Sequence, residues 1–103
     1  MPNLELESHP AADGDTVIVR GEVDMATAPQ LRDLLNELVD GGSTRILLDC
    51  RGLEFLDSSG IGVLVAVRKR LGEDGALTLE APPAHVRKVL ELTGVSGHVS
   101  IVP

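Results

Sequence analysis

TRILLDC at residues 44–50 and DSSGIGVLVAVRKRLG at residues 57–72 decide the fold of this chain. The first stretch holds an unbroken apolar run and predicts a buried strand over Thr44–Cys50. The second is almost continuously apolar over residues 60–67, a pattern that fits a strand as well as a buried helix. Possible N-caps, a basic end and a glycine stop favour a helix over Ser59–Leu71. The caps are Asp57, Ser58 and Ser59, the basic end is residues 68–70, and the stop is Gly72.

Outside these two stretches the alternation of strands and helices continues. Helical spacing of apolar residues predicts helices over Ala28–Val39 and Pro83–Thr93, the second closed by Gly94. The turn-rich Asp13-Gly14-Asp15 predicts that the first two strands form an antiparallel hairpin. Alternating or β-branched patterns predict the remaining strands at Asn3–Glu7, Thr16–Val23, Ala76–Glu80 and His98–Val102.

The element order ββαβαβαβ predicts an α/β fold. Parallel strands joined through helices require crossover connections, so we expect a mixed sheet of four to five strands with three main helices. No repeat or linker interrupts the sequence, and we expect one domain over residues 1–103. For the helix after residue 27, Thr27 and Gln30 match a capping box, Pro29 lies in the first turn and Gly41 fits the stop.

Composition narrows the classes of partner and compartment. Sixteen acidic residues against nine basic residues give a net charge of -7. Nucleic acid and membrane surfaces are therefore not expected as partners, because both favour clustered Lys and Arg. The single Cys50 cannot form an internal disulfide. No signal-peptide pattern opens the chain and no apolar run approaches the ~20 residues of a membrane span, so we expect a cytoplasmic protein.

The Asp57-Ser58-Ser59-Gly60 cluster stands between a predicted strand and a predicted helix, where α/β sheets tend to place functional residues. Taken alone, it is most simply a helix cap. A nucleophilic serine would need a base and an oxyanion hole, but Gly-x-Ser-x-Gly is absent and the histidines carry no motif. We therefore expect no catalytic residue and no enzymatic activity.

Cofactor and metal motifs are also missing from the sequence. Gly60-Ile61-Gly62 supplies two glycines of a dinucleotide-binding fingerprint without the third, so we expect both glycines at close-packing positions. The three histidines lack metal-ligand spacing. No cofactor and no metal are predicted.

Several sequence boxes, in order along the chain, resemble the STAS family and within it the bacterial anti-sigma factor antagonists of the sporulation and stress-response type. Gly21-Glu22-Val23-Asp24 is similar to the family's Gly-Glu-Leu-Asp box, and Thr27-Ala28 matches the Thr-Ala pair that follows it. LLDCRGLEFLDSSGIGV at residues 47–63 resembles the family signature, and residues 92–95 resemble the family's closing helix-stop box. The resemblance covers nearly the whole chain and implies a single STAS-like domain.

The resemblance implies a partner-switching role in transcription regulation. The unphosphorylated protein would bind an anti-sigma factor, itself an ATP-dependent serine kinase of histidine-kinase-like fold, and so free a sigma factor. Phosphorylation of Ser58, the first serine of the Asp-Ser-Ser-Gly box, would end that binding, and a separate phosphatase would restore it. The partner-binding residues would be Asp24, Asp57, Ser58, Ser59 and Gly60. The family also includes regulatory subunits of lipid or anion transporters, which is the alternative function.

Other residues carry structural expectations. Asp24 is expected to serve as a turn or capping carboxylate, and by the resemblance its loop lies beside Ser58 and touches the kinase. Phe55, the only aromatic residue, is expected to plug the core rather than contact a partner. Cys50 is expected as an inert buried thiol at a strand end, and residues 68–70 as a solvated helix end. Ser59 is expected to cap the helix, and a phosphate on Ser58 is expected to meet free backbone amides there.

Overall fold

A computed structural model describes residues 3–12 and 14–103 as one five-stranded mixed sheet with three helices. The strands are β1 (Leu4–Pro10), β2 (Gly14–Val23), β3 (Arg45–Leu56), β4 (Ala76–Glu80) and β5 (Ser100–Val102). The helices are α1 (Ala28–Asp40), α2 (Ser58–Leu71) and α3 (Ala84–Leu92), and a short 3₁₀ turn occupies Val95–Gly97. The predicted α/β fold and element order are confirmed; Asp13 of the expected turn lies outside the described residues.

The strands follow one another across the sheet in the order β1-β2-β3-β4-β5. β1 pairs with β2 antiparallel, as the hairpin pattern predicted, and every later neighbour pair is parallel. Right-handed crossovers that each advance one strand in the same direction place their helices on one face of the sheet, and buried residues of α1, α2 and α3 accordingly join one core cluster. The carboxyl ends of β2 and β3 therefore meet at one edge, where α1 and α2 begin.

An aliphatic core lies between that face of the sheet and the helices. The buried positions alternate along the strands, as in Val17 and Val19 of β2 and Leu77 and Leu79 of β4. Each helix adds an apolar stripe to the same cluster, whose fully buried members include Leu35, Val67, Val86 and Leu90. Burial of this stripe explains why residues 58–71 form a helix in spite of their local β-propensity, as the sequence analysis predicted.

β3 is longer than predicted, since it continues past Cys50 to Leu56. It stays paired with β2 through two shifts in register, so that Gly21 faces Leu53 and Glu22 faces Phe55. Such bulges break the alternation of inward and outward side chains. The sequence pattern after Cys50 therefore did not show a strand, and Cys50 lies within β3 rather than at its end.

The same bulges explain why the expectation for Phe55 was wrong. Leu53 and Leu56 are both buried, and Phe55 between them is 44% exposed. The shift in register brings Phe55 opposite Glu22 and Leu56 opposite the buried Val23. Phe55 is therefore turned away from the core.

The ends of the later elements differ from the predictions by a few residues. α3 ends at Leu92, and Gly94 adopts a left-handed conformation with φ of 78°, as expected for a glycine stop. The last strand begins at Ser100 rather than His98, because the 3₁₀ turn with His98 as its cap precedes it.

Candidate functional site

The candidate site is built where β2 and β3 end side by side. The backbone amide of Asp57 donates a hydrogen bond to the carbonyl of Val23 at 3.2 Å. This bond ties the first residue after β3 to the last residue of β2. The turn that starts at Asp24 and the first turn of α2 are thereby held next to each other.

The Asp57 side chain caps α2. Its Oδ1 accepts hydrogen bonds from the backbone amides of Ser59 at 2.8 Å and Gly60 at 3.4 Å. Since Asp57 satisfies these two amides, the helix needs no hydroxyl for its N-terminus. The expectation that Ser59 caps the helix is wrong: Ser59 is half-buried, and within the described part of the chain its hydroxyl has no hydrogen bond.

Ser58 occupies the first position of α2 and is exposed. No hydrogen bond of its hydroxyl is found among residues 3–12 and 14–103. The side chain therefore contributes little to the fold, and the hydroxyl is accessible to another protein. This is the serine that the family resemblance implies as the site of phosphorylation.

Asp24 and Thr27 fasten the neighbouring turn between β2 and α1. Asp24 Oδ1 accepts hydrogen bonds from the amides of Ala26 at 2.9 Å and Thr27 at 3.0 Å. The Thr27 hydroxyl donates to the carbonyl of Glu22 at 2.7 Å and accepts from the amide of Asp24 at 2.9 Å. The expectation for Asp24 as a turn carboxylate is confirmed. The predicted capping box is wrong, because the Thr27 hydroxyl serves this turn instead of the amides of α1.

The two glycines after the serines have different environments. A Cβ on Gly60 would lie 2.3 Å from Leu56 Cδ1 and 2.7 Å from Val23 Cγ1, so a side chain there has no room. Gly60 is buried and lets α2 start directly against the ends of β2 and β3. A Cβ on Gly62 would meet nothing within 4 Å. Close packing is thus confirmed for Gly60 and wrong for Gly62.

Sequence analysis missed one residue at this edge. Met25 follows Asp24 in the turn, and its side chain is 80% exposed. The signal that could have identified it is a large apolar side chain inside a short turn between two well-defined elements.

Two groups outside the site behave largely as expected. Cys50 is buried, and burial, with smaller contributions from the charges of Asp49 and Glu80, raises the pKa of its thiol from 9.0 to about 12. The basic end of α2 is exposed or half-buried, and it also contacts neighbouring elements. Arg68 donates to the carbonyl of His98 at 3.0 Å, and Arg70 pairs with Asp40 at 2.6 Å.

Other kinds of site have little support in the described residues. No group of three or more His, Cys, Asp or Glu side chains in residues 3–12 and 14–103 could hold a metal ion. Over those same residues, no helix is both long and apolar enough to cross a membrane. An open groove of about 380 Å³ includes Arg68, Glu73 and His98, but it lies at the far end of α2 from Ser58. That groove is therefore separate from the candidate site.

Comparison with known proteins places this geometry in a family. The family model described as "Mlab, STAS domain" matches residues 8–103. The chain belongs to the STAS domain family. A STAS relative, BtrV of Bordetella bronchiseptica, is named as a candidate anti-sigma factor antagonist and is 38% identical over 86 residues, which cover 82% of this chain and 72% of BtrV.

Solved structures of anti-sigma factor antagonists share the fold over almost the whole chain. An anti-sigma factor antagonist from Mycobacterium paratuberculosis superposes with a TM-score of 0.90 at 27% identity, covering 98% of this chain and 86% of its own. The antagonist SpoIIAA in its unphosphorylated form gives a TM-score of 0.78 at 26% identity, with coverage of 96% and 89%. The phosphorylated Bacillus SpoIIAA gives 0.70 at 25% identity, with coverage of 96% and 92%. The mycobacterial protein and SpoIIAA are thus both named as anti-sigma factor antagonists.

Proposed function

We propose that this STAS protein is an anti-sigma factor antagonist controlled by phosphorylation of Ser58. The unphosphorylated form binds an anti-sigma factor that is also a serine kinase with a histidine-kinase-like ATPase fold, and a sigma factor is released. Phosphorylation of Ser58 ends the binding, and a phosphatase that removes the phosphate restores it. The protein has no catalytic activity of its own in this cycle.

The observation that carries the proposal is the exposed, unused hydroxyl of Ser58 at the first position of α2. Asp57 supplies the cap, so a kinase can reach and modify Ser58 without removing a bond on which the helix depends. Ser59 is half-buried one residue further into the helix and is less accessible. The difference in exposure supports Ser58 over Ser59 as the acceptor.

The chemistry of the helix N-terminus explains how a phosphate would act as a switch. The expected free amides are largely absent, because those of Ser59 and Gly60 already donate to Asp57. A phosphate on Ser58 would add close to two negative charges beside that carboxylate. It can gain from the helix dipole, but a partner that buries this surface would have to desolvate the phosphate and Asp57 together. The phosphate is therefore expected to lower the stability of the complex and not the stability of the folded protein.

The proposed partner-binding residues include four that are accessible to a partner and one that is buried. Ser58 is exposed, and Asp24, Asp57 and Ser59 are half-buried, so these four can contribute surface to an interface. Gly60 is buried against Leu56 and Val23. We assign Gly60 to positioning the start of α2, not to direct contact.

The relatives support the proposed role as an antagonist controlled by phosphorylation. The three STAS proteins compared above are named as antagonists of anti-sigma factors, and SpoIIAA has been solved both with and without phosphate. Two forms of one relative are what a phosphorylation-controlled binding protein requires.

Affinity capture with the purified chain tests the proposal. Wild type and Ser58→Asp are each immobilised, and bound ATPases from an extract of the source organism are identified by mass spectrometry and assayed for kinase activity. We expect wild type to retain an ATPase that phosphorylates the chain, and Ser58→Asp to retain much less of it. Retention of an ATPase without kinase activity, equally by both proteins, would contradict the proposal and favour the regulatory subunit of a transporter.

A further inference from the structure

We infer that Met25 and Phe55 form an apolar anchor, at the edge that carries Ser58, which inserts into an apolar pocket on the anti-sigma factor. The inference rests on the proposed function and adds the chemistry of the contact. It assigns the affinity of the complex to two apolar side chains and leaves Ser58 to control it.

The distribution of exposed apolar side chains motivates the inference. Among residues 3–12 and 14–103, the large hydrophobic side chains that stand exposed are Met25 at 80%, Phe55 at 44% and Leu92 at 77%. Met25 lies two residues after the end of β2, and Phe55 lies one residue before the end of β3. Leu92 ends α3, which runs back to the opposite edge, where the parallel strands begin.

Single exposed hydrophobic residues are common on protein surfaces and need no explanation. Met25 and Phe55 differ from that background because they flank the same short segment on two paired strands. Val23 and Leu56 are opposite each other, and Asp57 is hydrogen bonded to Val23. Ser58 follows directly. Met25 and Phe55 thus belong to the strand ends from which α1 and α2 start, and the proposed interface extends from Ser58 to both of them.

The turn that carries Met25 is held in one conformation before any partner binds. The amides of both residues that follow Met25 donate to Asp24 Oδ1, and the Thr27 hydroxyl ties the turn back to Glu22. Ordering a loop on binding costs free energy, and a turn fixed in advance avoids that cost. The network thus holds an apolar side chain in water on a rigid support, which is the arrangement expected for a binding anchor.

Phe55 is exposed because of the register shifts between β2 and β3. The bulges between β2 and β3 turn Leu53 and Leu56 inward and leave Phe55 outward opposite Glu22. Bulges frequently redirect a side chain next to a functional site. Aromatic and methionine side chains are enriched at the centres of protein interfaces, where a few residues supply most of the affinity.

The kind of partner follows from this chemistry. The chain has a net charge of -7, and salt weakens attraction between exposed charges. Burial of a methionine and a phenylalanine contributes through apolar area, which does not depend on screening. The partner surface should therefore offer an apolar pocket, and the effect of removing the anchor should persist at high salt.

Binding measurements with matched variants test the inference. Each histidine-kinase-like ATPase encoded by the source organism is purified and titrated with wild type, Met25→Ser, Phe55→Ser, Leu92→Ser and Ser58→Asp, at low and at high salt. We expect Met25→Ser and Phe55→Ser each to raise the Kd by roughly tenfold or more at both salt concentrations. Leu92→Ser, equally exposed but on the opposite edge, should stay within about twofold of wild type. Thermal unfolding checks that each variant is folded. If Phe55→Ser does not fold, Met25→Ser alone tests the inference.

The outcomes separate this inference from the proposed function. Wild type that binds, Ser58→Asp that does not, and Met25→Ser that binds like wild type would overturn the anchor and leave the proposed function standing. An equal loss for Leu92→Ser and Met25→Ser would also overturn it, because the effect would not belong to this edge. Failure of wild type to bind any of the ATPases would overturn both.

Discussion

The carboxylate of Asp57 accepts a hydrogen bond from the backbone amide of Ser59 at 2.8 Å, and this bond spans Ser58 without using its hydroxyl. The cap and the candidate modification site are thus neighbouring but separate residues. Each can be changed alone, so stability and switching can be measured independently.

Removal of the cap should lower the stability of the protein. Asp57→Ala leaves the amides of Ser59 and Gly60 without their acceptor, and we expect the free energy of unfolding to fall by roughly 0.5–2 kcal/mol. Ser59→Ala is the matched control, because its hydroxyl makes no cap bond, and it should change the value by less than about 0.5 kcal/mol. Urea unfolding monitored by circular dichroism compares them. A larger loss for Ser59→Ala than for Asp57→Ala would contradict the assignment of the cap.

The neighbouring glycines should respond to alanine with opposite signs. At Gly60 the new Cβ would press on Leu56 and Val23, and we expect overpacking to destabilise the protein by roughly 1–3 kcal/mol. At Gly62 the space is open and the residue lies inside α2, so alanine should stabilise the protein by about 0.5–1 kcal/mol through helix propensity. The same unfolding experiment measures both, and a stabilised Gly60→Ala would show that the start of α2 is less tightly packed.

Cys50 should make stability depend on alkaline pH. Burial raises the pKa of the thiol to about 12 in the folded protein against 9.0 when it is exposed. The folded state therefore keeps the thiol proton, while the unfolded state loses it above pH 9.0. Loss of the proton stabilises the unfolded state, so the free energy of unfolding is highest below that pH and falls as the pH rises. Between about pH 8 and about pH 10 the loss should reach about 1.4 kcal/mol.

Cys50→Ala provides the control for this pH dependence. The variant should be less stable at every pH because it leaves a gap in the core, but its stability should fall less steeply over the same interval. Identical slopes for the two proteins would mean that Cys50 does not titrate differently on folding. A thiol reagent should label wild type only after unfolding.

Substitutions at Ser58 should separate binding from folding. Ser58→Ala should fold like wild type and bind the anti-sigma factor without regulation, since only an exposed hydroxyl is lost. Ser58→Asp should also fold, because a carboxylate is favourable at a helix N-terminus, but it should bind more weakly by ~1–3 kcal/mol. Calorimetric titration with the purified kinase gives both affinities. Equal affinity of the two variants would contradict electrostatic control at this position.

Much of the fold could be predicted from the sequence because its elements follow regular periods. α1 and α3 have clear apolar stripes, and the stop glycines Gly72 after α2 and Gly94 after α3 both have positive φ. α2 was also predicted correctly against its β-propensity, from Asp57 and the basic residues at its end. Local patterns fail where strand register determines which side chains are buried. Because of the bulges in β3, its last residues were not predicted as a strand, and Phe55 is exposed where burial was expected.

The candidate site was predictable in its residues but less so in their roles. The positions of Asp24 and Ser58 follow from the strand-to-helix junctions. Which side chain caps which amide depends on geometry: among the three candidate caps of α2, Asp57 accepts the amides and Ser59 does not, and Thr27 bonds to Glu22 instead of capping α1. Met25 was missed although a large apolar residue in a short turn is a signal, because the local sequence does not show whether another element covers that turn.

Phosphorylation by the captured anti-sigma factor tests the central claim most directly. Wild type, Ser58→Ala and Ser59→Ala are incubated with the kinase and ATP, and the phosphate is located by mass spectrometry. We expect one phosphate on Ser58 in wild type and in Ser59→Ala, none on Ser58→Ala, and loss of kinase binding by the phosphorylated protein. Phosphate on Ser59 with Ser58 unmodified, or undiminished binding after phosphorylation of Ser58, would contradict the account.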